Sequence, residues 1–275
     1  MDLLWWKEKR LRTVWRVKKD GRTSFLVGTA HFSPYPFKKS LTRIIKPFTT
    51  VLFEGPLDQE SMARVVEYGR RGEDFPSLDD ALEPGAVKEL NRQLSLRLKA
   101  SVTSAGSDFD ILYRTPSNLL KSLTQGVRPW LGFFSIWSTL LNWKYSMDVE
   151  AYKIAQKLKK RIEYLETIED QLSALDGIPF ERIVNFLNRI DHWNVYREMF
   201  LQAFLSGDLE RFASMTGEFP TRCESIVARR DPVFFKRIKA FSEQESVVAF
   251  VGVIHIPGIR KMFLEEGYTV AREEA

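Results

Sequence analysis

A chain of 275 residues with 44% hydrophobic and 13% aromatic content can bury roughly three quarters of its unfolded surface, which excludes a disordered polar chain and fits one large domain spanning residues 1–275. The net charge of +5 arises from 41 basic and 36 acidic residues spread along the chain, so it lacks the clustered basic face of a nucleic-acid binder, and no nucleic-acid partner is expected. The single cysteine, Cys223, has no internal disulfide partner, and charges interrupt the opening "MDLLWWKEKRLRTVW", which leads us to expect a cytoplasmic address.

In chain order, "TVWRVKKDGRTSFLVGTAH" holds two β-rich runs around Asp20-Gly21, a pair suited to the positive φ angles of a tight hairpin turn. "KKSLTRIIKPF" predicts a short helix ending near Pro47, and "TTVLFEG" a strand ending at Glu54. Residues 61–143 read as a helical insertion with breaks at "DFPS", "LEPG" and "RTPS". Its last part, "PWLGFFSIWSTLLNW", has fifteen uncharged residues, against the roughly 20 needed to span a bilayer. Three roles stay open for it: a buried helix with Trp130, Phe133, Phe134 and Trp137 inside, a homodimer or partner surface, or weak membrane association.

"MDVEAYKIAQKLKKR" predicts a helix with Asp148 at its N-cap, and "IEYLET" a strand ending at Glu166. Helices are expected over 179–205, 208–215 and 222–241. "SVVAFVGVIH" is the strongest strand candidate, and "GYTVARE" a last one. His192 sits among helical residues and matches no motif, which suits an ordinary packed or surface role.

Two of the three histidines occupy equivalent places, in "FLVGTAH" and "AFVGVIH". If the strands ending at His31, Glu54, Glu166 and His255 are parallel neighbours, all four side chains meet at the carboxyl rim of the sheet, where ligands bind in α/β folds. Gly28 and Gly252 allow close approach just before each histidine. Two imidazoles and a carboxylate are a ligand set for a catalytic divalent metal, which leaves positions open for water and substrate. "LETIEDQ" offers either a capping box, Thr167 with Asp170, or a site carboxylate at Glu166 or Glu169.

"FLVGTAH", "VLFEGP", "RPWL", "MDVEAYKIA", "IEYLETIEDQ" and "AFVGVIHIPG", in this order, resemble the TraB/PrgY/GumN family, whose animal relatives are Tiki-type proteases. The resemblance runs from about Val14 to Val270. It implies an α/β fold with a central mixed β-sheet flanked by helices, like that of the Tiki, erythromycin-esterase and ChaN proteins. It also implies a divalent-metal-dependent hydrolase acting on a peptide or other amide, with manganese, cobalt or zinc on His31, Glu54 and His255. Glu166, with Glu54, would be catalytic. Gly28, Thr29, Gly252, Asp148, Glu169 and Arg230 would meet a peptide or small-molecule substrate. "VARRDPVFF" departs from the family by having Asp231 where asparagine is usual, which leaves the role of Arg230 open: it could hold a substrate carboxylate, or pair with Asp231 or a site glutamate. Two rival readings are a metal-free esterase-like hydrolase and a non-enzymatic protein that sequesters peptides, as family members associated with peptide pheromones would.

Overall fold

A computed structural model describes residues 8–104 and 118–273, with side chains for all of these but 99–104. The expected break at "RTPS" lies outside the described residues. The hairpin forms as β1 (Val14–Lys19) and β2 (Arg22–Thr29), and Asp20 and Gly21 take φ angles of 48° and 77° at the turn. Then come α1 (Lys38–Ile45) and β3 (Thr50–Phe53). Five helices follow: α2 (Gln59–Gly69), α3 (Leu78–Ala81), α4 (Pro84–Ser104), α5 (Leu119–Thr124) and α6 (Pro129–Leu141). The chain continues through α7 (Met147–Lys157), β4 (Arg161–Tyr164), α8 (Ile168–Asp176), α9 (Phe180–Asn188), α10 (Trp193–Ser206) and α11 (Leu209–Met215). It closes with α12 (Asp231–Ser242), β5 (Val247–Gly252), α13 (Ile256–Glu265) and β6 (Thr269–Glu273).

The six strands form one mixed sheet in the order β4-β3-β5-β2-β1-β6. β4, β3, β5 and β2 run parallel, while β1 pairs antiparallel with both β2 and β6. All six residues of β5 are buried, as expected of a central parallel strand covered by helices on both faces. The parallel set therefore sends the ends of β2, β3, β4 and β5 to one rim.

The core has two parts. One packs around the sheet, with Val51, Phe53, Phe250 and Phe263 near its centre. The other is helical and aromatic: Trp130, Phe133 and Trp137 of α6 are buried, and Phe186 and Trp193 join them. Phe134 is only half-buried and borders a cleft. The helices of residues 61–143 do not close this second core alone, because Ile168 of α8 and Ile183 and Phe186 of α9 complete it. The two parts meet at Ile254, beside the rim. Among the described residues, no helix is long and apolar enough to cross a membrane.

Several expectations are corrected. Ser146, not Asp148, caps α7, accepting from the Val149 N–H. β4 stops at Tyr164, two residues short of Glu166. Residues 222–241 are not one helix: a π-helical turn over Glu224–Ala228 ends ahead of α12, and the chain re-aims at Arg230 and Asp231. His255 does not end a strand, since β5 stops at Gly252 and Val253–His255 is a 3₁₀ turn. His192 lies in another 3₁₀ turn, largely exposed.

Candidate functional site

Each histidine is fixed through its Nδ1 by a carboxylate from a distant element. His255 Nδ1 stands 2.6 Å from Asp231 Oδ1 at the start of α12, and His31 Nδ1 stands 2.8 Å from Asp148 Oδ2 in the first turn of α7. The Thr29 hydroxyl donates to the other Asp148 oxygen at 2.6 Å. A hydrogen bond of this kind holds the ring and its tautomer, leaving Nε2 for chemistry. The sequence offered Asp148 as a cap or a substrate contact and Asp231 as a partner of Arg230, but tied neither to a histidine. Asp148 competed with a capping role, and Asp231 looked like a departure from pattern.

Glycines make room for this arrangement. A Cβ on Gly252 would stand 3.2 Å from Glu54 Oε1, 3.6 Å from His255 Cδ2 and 3.9 Å from His31 Nε2, so both imidazoles border one point. A Cβ on Gly258 would fall 1.9 Å from Asp231 Oδ2. Gly28 instead lets the end of β2 pack on the 3₁₀ turn, where a Cβ would meet Val253 and Ile256.

Between the carboxylates lies Arg230. Its guanidinium grips Glu166 twice, Nε to Oε2 at 2.9 Å and Nη2 to Oε1 at 2.5 Å. The same Nη2 reaches Glu54 Oε2 at 2.8 Å. Glu54 Oε1 accepts the Gly252 N–H at 2.5 Å. Arg230 Nη1 then approaches His255 Nε2 at 3.4 Å, with the Phe234 ring 4.8 Å from the guanidinium carbon. Glu54 Oε1 stands 3.7 Å from the same nitrogen, but the nearer Arg230 donor and the short Nδ1 contact with Asp231 favour the tautomer with its proton on Nδ1.

The charges respond to this crowding. Burial pushes the Glu54 carboxyl up, but Arg230, the two histidines and the Gly252 N–H outweigh it and hold the pKa at about 2. For Glu166 and Asp231 burial wins over Arg230 and His255 respectively, and both pKa values are raised. The His31 side chain is 62% solvent-accessible yet stands within a walled cleft. Partial loss of solvent there disfavours its cation, but attraction and hydrogen bonding to Asp148, with help from Glu54, lift its pKa to about 9. His31 is therefore an imidazolium at neutral pH, held by Asp148.

His31, His255, Arg230 and Thr29 border a cleft enclosing ≈ 930 Å³ of space, its open mouth included. Its walls are largely apolar, with Phe32, Phe134, Trp137, Trp143 and Phe200 among them. Glu54 and Glu166 sit behind Arg230 and do not border it. Glu169 does not join the site: it is exposed on α8 and pairs with Arg64 at 2.7 Å. The Thr167–Asp170 capping box does form.

The expected metal ligands His31, Glu54 and His255 come to one rim. Among the described residues no three His, Cys, Asp or Glu side chains converge closely enough to hold an ion, and the Glu54 carboxylate is committed to the Arg230 guanidinium and the Gly252 N–H.

A family profile described as the TraB/PrgY/gumN family matches residues 13–272. No curated protein matches the chain.

Proposed function

The chain belongs to the TraB/PrgY/gumN family, and from that premise we propose that it is a hydrolase of amide or ester bonds, acting first on peptides, by acid–base catalysis between His255 and His31. The observation that carries the reading is the unequal pair of histidines. Each is fixed by an aspartate, but Nε2 of His255 accepts from Arg230 while Asp148 raises the pKa of His31 to about 9. A charged imidazole and a second one, each fixed through Nδ1 and both bordering one point at the cleft, supply the parts of an acid–base pair.

Once its long 3.4 Å contact with Arg230 Nη1 is given up, His255 Nε2 takes a proton from a water, the water oxygen attacks the substrate carbonyl carbon, and His31 gives its Nε2 proton to the departing nitrogen or oxygen. Asp231 stabilises the His255 imidazolium that forms, as the carboxylate does in a catalytic triad. Arg230, neutralised from behind by Glu54 and Glu166, positions His255 and keeps the cleft floor from carrying net negative charge. Turnover of N-acyl peptide amides and aryl esters tests the proposal, with His255→Ala and His31→Gln each expected to lose about 10²–10⁴ in kcat while the circular dichroism spectrum is kept. Saturable peptide binding without turnover of any amide or ester would overturn it and favour sequestration.

A second reading keeps the divalent ion, and one observation favours it: both imidazoles hold Nδ1 on a carboxylate, the way metal-bound histidines are held. His31 and His255 through Nε2, with Glu54, would be its ligands, and Glu54 would have to leave Arg230. A bound ion would supply a water of lowered pKa. Metal content of tag-free protein separates the two readings: one divalent ion per chain, lost in His255→Ala, would favour the metal.

A further inference from the structure

The same cleft holds a cation that the acid–base reading does not use. Arg222, just before the π-helical turn, donates from Nε to Thr216 Oγ1 at 2.9 Å and from Nη1 to the Ile254 carbonyl at 3.4 Å. Its guanidinium carbon lies 5.1 Å from the Phe212 ring centre. Nη2 is buried with no hydrogen-bond partner among the described residues, and so is the hydroxyl of Tyr196 on α10. Both residues border the cleft. No carboxylate pairs with Arg222 among the described residues, in contrast to Arg230, which has two.

Buried polar atoms are ordinarily satisfied, and a buried charge is ordinarily paired, because leaving either unmet is costly. Two unmet donors on neighbouring wall positions of one cleft describe the complement of an anion. Burial pulls the Arg222 pKa down and pushes that of Tyr196 up, with each group's charge working against the other's shift, which places the two in electrostatic contact. With Nε and Nη1 engaged, Arg222 offers the two protons of Nη2, and Tyr196 offers one. That is enough for the two oxygens of a singly charged carboxylate and too little for a doubly charged phosphate.

We propose that Arg222 and Tyr196 form a carboxylate subsite of this cleft, taking the free C-terminus of a short apolar peptide or an N-acyl amino acid. Arg222 hangs on the carbonyl of Ile254, the neighbour of His255, so a carboxylate anchored there brings the last amide of the chain toward the histidine pair. The aromatic walls receive the apolar side chains. The assignment of a scissile amide rests on the hydrolase reading; the subsite itself does not.

The test is calorimetric binding of N-acetyl-Leu-Phe and of its C-terminal amide to the full chain carrying His255→Ala, so that neither probe is consumed. The acid is expected to bind at least about 10-fold more tightly than the amide, as a charge-assisted hydrogen bond in a desolvated site allows. Arg222→Met should bind the two probes equally, Arg222→Lys should keep part of the preference, and Tyr196→Phe should lose a few-fold of it. Equal affinity for acid and amide, no saturable binding of the acid, or a preference that survives Arg222→Met overturns the proposal. So does an Arg222→Lys variant indistinguishable from Arg222→Met. Turnover by the protein with both histidines is scored separately. A carboxylate preference without cleavage leaves the subsite standing and removes the hydrolase reading, whereas cleavage without a preference does the reverse.

Discussion

The two Gly-x-x-His motifs reach the same rim and end in opposite surroundings. His255 closes a 3₁₀ turn, is 1% exposed, and packs edge-on against Phe234 with ring centres 5.1 Å apart. His31 stands two residues past the end of β2 at Thr29, not on the strand as expected, and faces the cleft with 62% of its side chain accessible. Both motifs deliver an imidazole, and in both a distant aspartate fixes Nδ1. What differs is the neighbour at Nε2. Arg230 presses a donor on His255, whereas among the described residues no such hydrogen bond to His31 Nε2 is found. A short motif thus sets where an imidazole goes, and elements far away in sequence set which proton it moves.

The largest expected effect comes from removing the cation that makes the His255 side different. Arg230→Met leaves Glu54 and Glu166 buried and facing each other, and should cost about 3–5 kcal/mol in urea unfolding at neutral pH. The loss should shrink as the pH falls and one carboxyl takes up a proton. An unchanged midpoint would mean that the triad carries no such role.

Next comes the difference between the histidines themselves. His255→Ala opens a hole beside Phe234 and leaves Asp231 buried without its partner, costing about 2–4 kcal/mol. The exposed ion pair of His31 is worth only about 1 kcal/mol or less, so His31→Ala should fall in that range. Equal losses in thermal or chemical unfolding would erase the proposed contrast.

A smaller pair of effects tests the glycines. Gly258→Ala pushes a methyl group against Asp231 and should cost about 1–3 kcal/mol, as overpacking does. Gly252→Ala meets Glu54 at a milder 3.2 Å and should cost less. If Gly252→Ala is the worse of the two by differential scanning calorimetry, the space around Asp231 is not what anchors His255.

Much of this was legible in the sequence because it depends on local pattern. The Asp20-Gly21 turn, the apolar run of β5, the α6 aromatic helix and the delivery of four polar residues to one rim all follow from spacing and residue type. The partners of those residues did not, since they are set by tertiary placement. Asp148 has the chemistry of a helix cap, and Ser146 took that role instead. The apolar period of residues 222–241 runs on through the π-helical turn, and the local mark of the break that aims Arg230 and Asp231 at His255 is Pro232 in the first turn of α12. Gly258 reads as an ordinary helical residue until the Asp231 carboxylate is seen against it. Arg222 and Tyr196 carry no motif at all.

The pH dependence of stability follows from His31. Its folded pKa of about 9 lies above its ordinary 6.5, so the stabilisation is full below about pH 6.5 and is lost as the pH rises through about 9. Discounted for solvent screening, it amounts to about 1 kcal/mol, read as the shrinking gap between wild type and His31→Gln in unfolding titrations.

The division of labour between the two histidines is tested most directly by long-range ¹H–¹⁵N spectra of the imidazole rings, with His31 and His255 assigned by substitution. The account predicts a doubly protonated His31 at pH 7.5 that titrates at about 9, a midpoint that drops in Asp148→Asn, and a His255 in its Nδ1–H form with Nε2 unprotonated. Both rings in the same protonation state at pH 7.5, or a His31 midpoint indifferent to Asp148→Asn, would contradict it.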